Sequence, residues 1–313
     1  MSNRSMDPAE IRSRWRCFLR CSRLVSAFTP ILVLILLSGN CEAQSPQLPT
    51  RMVMVDGKAM RIWTAGLENR KPGQPVVILE SGGGAGLEHF KPIFGQIAER
   101  APVFAYDRRG LGQSEIDTVP QTFDRVAQSL HMLLRDARVP PPYVLVGASW
   151  GGALIRKFGM VFPSEVAGFV YLDATDFPTR AELTQLPAGA LEAVFNLPPI
   201  PPDLPAGVRA EIDSMVNHFR TEFSEVRALR PPQDVPVAVI IAGAKTWPGI
   251  SEDARMALVQ LHIKHQSEWT QASPKGLLIV PSKARHFLFN DEPALIVDAI
   301  AYVVRNARQQ PVR

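Results

Sequence analysis

Tyr143-Val144-Leu145-Val146-Gly147-Ala148-Ser149-Trp150-Gly151, continuing into Gly152-Ala153-Leu154-Ile155-Arg156-Lys157-Phe158, is the stretch that decides the fold of this chain. A short apolar run enters Gly-x-Ser-x-Gly, and a helix-like stretch leaves it. Strand, glycine-bracketed serine and helix in succession describe a very tight turn with the serine at its apex. Small neighbours let the backbone pass closely, and the serine is held in strained geometry with its hydroxyl clear of the sheet. The helix N-terminus then aims free N–H groups at any negative charge that develops there. Read alone, the pentapeptide fits a plain glycine-rich turn equally well. The chain around it has to decide.

Working outward, apolar β-rich runs alternate with helical patterns. Arg51 to Val55, Asp56-Gly57 and Ala59 to Thr64 read as a hairpin across an Asp-Gly turn. Further runs lie at Pro75–Glu80, Pro102–Tyr106, Tyr143–Val146, Gly168–Leu172, Val235–Ile241 and Gly276–Val280. Helical patterns lie at Leu87–Arg100, Gln121–Ala137, Gly151–Phe162, Ser251–Ala272 and Pro293–Arg308. In the last, Leu295, Ile296, Ile300, Val303 and Val304 share one face at helical spacing. Continuous apolar strands alternating with helices predict an α/β fold, a mostly parallel sheet covered on both faces. Sites in such folds form in loops at the carboxyl ends of the strands.

One connection is too long for a simple crossover. About sixty residues separate Leu172 from Val235, with helical patterns at Arg180–Phe195 and Val208–Leu229. A proline-rich join, Leu197 to Pro205, lies between them. We read the insertion, residues 174–234, as a helical cap over the site, with the prolines as a stiff hinge.

The first 43 residues read as a secretory signal peptide. Arg12, Arg14, Arg16, Arg20 and Arg23 form a basic region, Leu24 to Leu37 is uncharged and mostly apolar, and Cys41-Glu42-Ala43 presents small residues for cleavage. Export to the periplasm or medium follows, leaving residues 44–313 as the mature domain. The alternative is an uncleaved membrane anchor, since the apolar stretch is at the lower edge of spanning length. The leader holds six arginines and three acids, so the mature part carries only about one of the chain's four net positive charges. The basic balance is therefore no sign of a nucleic-acid partner. All three cysteines, Cys17, Cys21 and Cys41, lie in the leader. The mature domain has no disulfide, no cysteine metal site and no thiol nucleophile, and a core of this size has to hold it.

A serine nucleophile needs a base. His131 sits inside a regular helix pattern, His218 in the insertion, and His89 just after the glycine run. His262 and His265 are three apart on a helix; with no acid beside them in sequence they read as a solvated helix face and not as metal ligands. His286 follows the last strand on a short loop, which puts it at the same sheet edge as Ser149. The run Gly82-Gly83-Gly84-Ala85-Gly86 invites a nucleotide reading, but Leu87 breaks the dinucleotide spacing and no Lys-Ser/Thr follows. No metal and no cofactor is expected.

Four motifs in order resemble the α/β-hydrolase superfamily, from Arg51 to the C-terminus: the Ser149 turn; Tyr106-Asp107-Arg108-Arg109-Gly110-Leu111-Gly112-Gln113-Ser114; Ser81-Gly82-Gly83-Gly84 after a strand; and His286-Phe287-Leu288 running to Asp291-Glu292-Pro293. The insertion also lies where the family places lids. The resemblance implies Ser149 as nucleophile and His286 as its base, with an oxyanion held by the backbone N–H groups of Trp150 and Gly83. The Asp107–Ser114 loop is expected to brace the site. The family's usual acid follows the strand at Val235–Ile241, but here that loop reads Ala242-Gly243-Ala244-Lys245-Thr246-Trp247, with no carboxylate. Some members take the acid from the preceding strand, which makes Asp173 the expected third member, with Asp176 second. Glu252 and Asp253 open a helix and suit its dipole.

The expected activity is ester hydrolysis through an acyl-enzyme, on a small, partly apolar substrate. Serine at the nucleophile position argues against epoxide hydrolase and haloalkane dehalogenase relatives, which use aspartate there. Carbon–carbon bond hydrolase, amidase and cofactor-free peroxidase chemistry share these residues, and so does a non-catalytic protein holding a small ligand under the cap. Membrane contact is expected only through a retained leader. Oligomeric state and substrate identity are not legible.

Overall fold

The computed structural model describes residues 50–307 apart from 177, 196–199 and 248. The expected signal segment at residues 1–43 lies outside them, as does part of the proline join. Among the described residues no helix is long and apolar enough to cross a membrane.

Eight strands form one sheet: β1 (Thr50–Val55), β2 (Lys58–Ala65), β3 (Val76–Glu80), β4 (Val103–Tyr106), β5 (Tyr143–Ala148), β6 (Val166–Leu172), β7 (Val237–Ile240) and β8 (Gly276–Ile279). Their spatial order is β1-β2-β4-β3-β5-β6-β7-β8. The β1–β2 hairpin and the β2–β4 pairing are antiparallel, and every other pairing is parallel. The Asp-Gly turn works as the sequence suggests, with Asp56 and Gly57 at φ of 49° and 73°.

Alternation along β3 builds two cores. Val77 and Leu79 face α1 (Lys91–Ala98) and the last helix (Pro293–Ala307), whereas Val76 and Ile78 face α2 (Phe123–Asp136) and α3 (Trp150–Val161). All five residues of β3 are buried, as a strand covered on both faces requires. Each such aliphatic side chain contributes about 1.5–3 kcal/mol on burial. The elements predicted for the domain are present within a residue or two, except at two places. Leu87–Arg100 divides into a 3₁₀ turn (Leu87–Phe90) and α1, because Pro92 stands at the start of α1 where a proline fits without losing a bond.

The second difference is in the insertion. Arg180–Phe195 forms two short helices, α4 (Arg180–Leu183) and α5 (Ala190–Phe195). Pro187 and Gly189, at φ +91°, interrupt the pattern. Val208–Leu229 likewise forms α6 (Ala206–Arg220) and α7 (Ser224–Ala228), because Glu222 and Phe223 both take left-handed backbone, at φ of 50° and 53°. Two such residues in succession end a right-handed helix. The remaining helices are α8 (Glu252–Gln271), α9 (Leu288–Asp291) and α10 (Pro293–Ala307).

Candidate active site

Ser149 stands between β5 and α3 with φ 50° and ψ −118°, a conformation that L-residues avoid. Tight packing imposes it. A Cβ at Gly147 would lie 2.6 Å from the Gly151 carbonyl oxygen, and one at Gly151 would strike the Glu80 carbonyl. Only glycines permit this crossing. The Ser149 amide donates to Leu172 O at 3.0 Å, which suspends the turn from the end of the neighbouring strand β6. Among the described residues the Ser149 hydroxyl has no hydrogen-bond partner, and the side chain is half-buried.

The glycine run lies against this turn. A Cβ at Gly82 would come 3.5 Å from Ser149 Cβ, and one at Gly83 would come 3.6 Å from Trp150 Cβ. Trp150 opens α3, so its N–H has no acceptor within the helix. The Gly83 N–H is likewise without a partner among the described residues. Two free donors thus flank the serine.

Asp173 follows β6 directly, at φ 41°, and is 2% exposed. His286 Nδ1–H donates to Asp173 Oδ2 at 2.5 Å. Asp173 Oδ1 accepts the Ala242 N–H at 3.1 Å. Lys245 Nζ also reaches Oδ2, at 3.0 Å. Burial alone would raise the Asp173 carboxyl, but the Lys245 ammonium and the His286 bond outweigh it and hold the group well below the ordinary carboxylate range. The structure therefore brings His286 to Asp173, on a loop that begins next door to Ser149.

Asp176, the second candidate acid, is engaged elsewhere. It accepts from His262 Nδ1 at 2.5 Å and from Gln266 Nε2 at 3.0 Å. The histidine pair on α8 is accordingly not the solvated face expected of it. His262 is only 9% exposed, and His265 Nε2 donates to Glu182 Oε1 at 2.8 Å. The carboxylates come from the segment after β6, some 86 residues away, so sequence proximity gave no hint of them. Among the described residues no group of His, Cys, Asp and Glu is arranged to hold a metal ion.

The Asp107–Ser114 loop braces the site. Asp107 accepts from Leu87 N at 2.7 Å, Arg61 Nε at 2.7 Å and Gln113 N at 2.9 Å. Arg108, fully buried, does more than the sequence suggests. It bonds Glu80, Ser81 and the Gly82 carbonyl on one side, at 2.5–2.9 Å. On the other it holds Glu211 of α6 with two parallel bonds, at 2.7 and 2.8 Å. Glu211 in turn accepts the Gly84 N–H at 2.5 Å. Burial opposes the Arg108 charge, but Glu211 and Glu80 more than offset it and raise its affinity for the proton. Tyr106 donates to the remaining Glu80 oxygen. Helix α6 is thus pinned directly to the glycine run, with the Met215 thioether over Gly83 where a side chain there would collide with it.

Sequence reasoning missed Lys245, Glu211 and Met215 in this site. No local signal marks them, since their partners lie tens of residues away. His218, in the insertion, packs against Phe123 and Trp150 with ring centroids 4.9 and 5.3 Å apart. His131 pairs with Glu165 at 3.0 Å, just before β6 begins and so at the strand end opposite Asp173.

Known proteins agree with this architecture. A family model described as alpha/beta hydrolase fold matches residues 75–198. Over 251 residues the chain is 27% identical to "Uncharacterized protein YqjL" of Bacillus subtilis (strain 168), covering 78% of this chain and 89% of that one. The crystal structure of DbjA superposes with a TM-score of 0.61 at 15% identity, over 83% of this chain and 98% of that one. Epoxide hydrolase CorEH does so with a TM-score of 0.55 at 18% identity, over 80% and 96%. Together with the sheet order, these show that the chain has the α/β-hydrolase fold.

Proposed function

We propose that the protein is an exported serine hydrolase that cleaves carboxylic esters through an acyl-enzyme on Ser149. The observation that carries this reading is the Asp173–His286 hydrogen bond at the sheet edge where Ser149 stands in a strained turn between two free N–H donors. In this reading His286 Nε2, the nitrogen left free by Asp173, accepts the Ser149 proton as the hydroxyl oxygen attacks the substrate carbonyl. The oxyanion settles between the N–H groups of Trp150 and Gly83, which are fixed before the charge appears. His286 returns its proton to the leaving alcohol. Water, deprotonated by the same imidazole, then releases the acid. Asp173 holds the tautomer that leaves Nε2 basic and stabilises the imidazolium.

The insertion serves as the cap of this site, with α6 above the glycine run. Epoxide hydrolase is the name of a structural neighbour; Ser149 at the nucleophile position supports acyl transfer instead. The test is covalent labelling by a fluorophosphonate, read by intact mass, followed by turnover of a panel of esters of increasing acyl length. Wild-type protein is expected to gain one adduct and Ser149→Ala none. A folded wild-type protein that takes no label refutes the reading.

A further inference from the structure

The loop after β7 carries no carboxylate, and Lys245 has an unexpected position in it. Its ammonium and the His286 imidazole bind the same oxygen, Asp173 Oδ2, at 3.0 and 2.5 Å. The other oxygen is committed to the Ala242 N–H of the same loop, at 3.1 Å. The lysine is held there on purpose-built supports. Arg255, itself paired with Glu252 at 2.6 Å, donates to the carbonyls of Gly243 and Lys245 at 3.2 and 3.3 Å. The ammonium also lies 5.5 Å from the centre of the Trp247 ring. Asp173 itself is 99% buried at its side chain and Lys245 82%, so water screens their interaction little.

We propose that Lys245 is a positioning residue for the reacting pair: by sharing Asp173 Oδ2 with His286, it takes up part of the carboxylate's charge and lowers the pH at which the imidazole becomes available as a base. This rests on the serine-hydrolase reading above. An unshared Asp173 carboxylate would favour the imidazolium more strongly. A cation on the same oxygen opposes that, while leaving the hydrogen bond that orients the ring. The loop that usually brings the acid here brings the acid's counter-charge.

Other charges around the pair do not substitute for it. His89, from the turn after the glycine run, faces His286, but burial and then the charges of His286 and Arg108 disfavour its own protonation. Arg108 is engaged by Glu80 and Glu211. Arg285, next to His286 in sequence, pairs with Asp291 at 2.8 Å. Lys245 is the ammonium on Asp173 among the described residues.

The experiment is the rate of fluorophosphonate labelling of Ser149 against pH, for wild type, K245M and K245R. Removing the cation favours the imidazolium, so the acid limb of the K245M profile should move up by about one pH unit. Labelling at a pH well below the limb should then fall about tenfold, while the high-pH plateau holds. K245R keeps the charge and should follow wild type. Should K245M not fold, judged by thermal melting, K245Q gives the same comparison with a polar neutral side chain. A neutral variant whose profile overlays wild type overturns the proposal, and so does one that is slower by a constant factor at every pH. Failure of the wild type to label at any pH is a different result, and it removes the hydrolase reading itself.

Discussion

At the scale of single residues, the clearest physical statement is the strain at Ser149. Its φ of 50° with ψ of −118° is costly for a serine and free for a glycine. Ser149→Gly should therefore abolish labelling yet stabilise the protein by about 1 kcal/mol, read as a higher denaturation midpoint. The two aspartates separate by the same kind of argument. Asp173→Asn should lower turnover by about 10⁴-fold, because an asparagine offers His286 the wrong tautomer, and should lower the melting temperature without unfolding the protein, because the Lys245 ammonium loses its carboxylate. Asp176→Asn should leave the chemistry largely intact and weaken the bonds to His262 and Gln266. If instead the Asp176 variant is dead and the Asp173 variant active, the acid has been misplaced. The sequence makes Ser149 readable because its requirement is local: glycines on both sides of a sharp crossing. It makes Asp173 readable only by the lack of a carboxylate after β7. Lys245 is not readable at all, since its partner Asp173 stands after another strand, 72 positions earlier, and nothing in Ala242–Trp247 announces it.

Among the elements, α6 differs from a lid resting loosely on a domain. The Arg108–Glu211 pair is buried and doubly hydrogen-bonded, and Glu211 also holds Gly84 beside the proposed oxyanion donor. Cutting Glu211 back to alanine should cost about 3 kcal/mol, because Arg108 keeps its buried charge while losing one of two carboxylates. Turnover should fall more than KM rises, since the glycine run loses its anchor. Urea unfolding and steady-state kinetics on the best ester of the panel measure the two effects, and Glu211→Gln should restore part of each. Unchanged stability would mean that the pair contributes nothing in solution. The helical character of the insertion was legible from its pattern. Its second break was not, because Glu222 and Phe223 are ordinary helix residues that here take left-handed backbone.

Over the whole molecule, stability depends on pH through charged pairs that folding brings together. His265, raised to about 9 by Asp176 Oδ2, which lies 3.5 Å from its Nδ1, and then by Glu182, gains partners on folding. A raised histidine contributes stability that is complete below about pH 6.5, the ordinary value, and is lost as pH rises through about 9. Denaturant midpoints should accordingly decline from neutral to alkaline pH, and His265→Gln should flatten that decline. Asp173 and Asp176, both lowered, act in the opposite sense: their contribution holds above about pH 4 and is lost on further acidification. A wild-type alkaline slope unaltered in the His265 variant would assign it to another group. The sheet itself was legible almost strand for strand, because apolar runs covered on both faces leave little ambiguity. The clamps between distant segments were not, because periodicity records burial and says nothing about which charge meets which.

The register of the central strands has a mechanical result. Ala148 pairs with Leu172, and Leu172 with Ile240, so Ser149 and Asp173 are the first residues beyond two aligned strand ends. Neighbouring strands rotate against each other by about 20–25°. An acid one strand from the nucleophile accumulates that rotation once; an acid on β7 would accumulate it twice. The spacing of serine and aspartate is thus insulated from flexing of the sheet. The imidazole is not. Its loop hangs from β8, the strand at the margin, whose residues are all at least partly exposed. On warming, the histidine should accordingly lose alignment before the other two, read as a loss of fluorophosphonate labelling at temperatures below the melting transition.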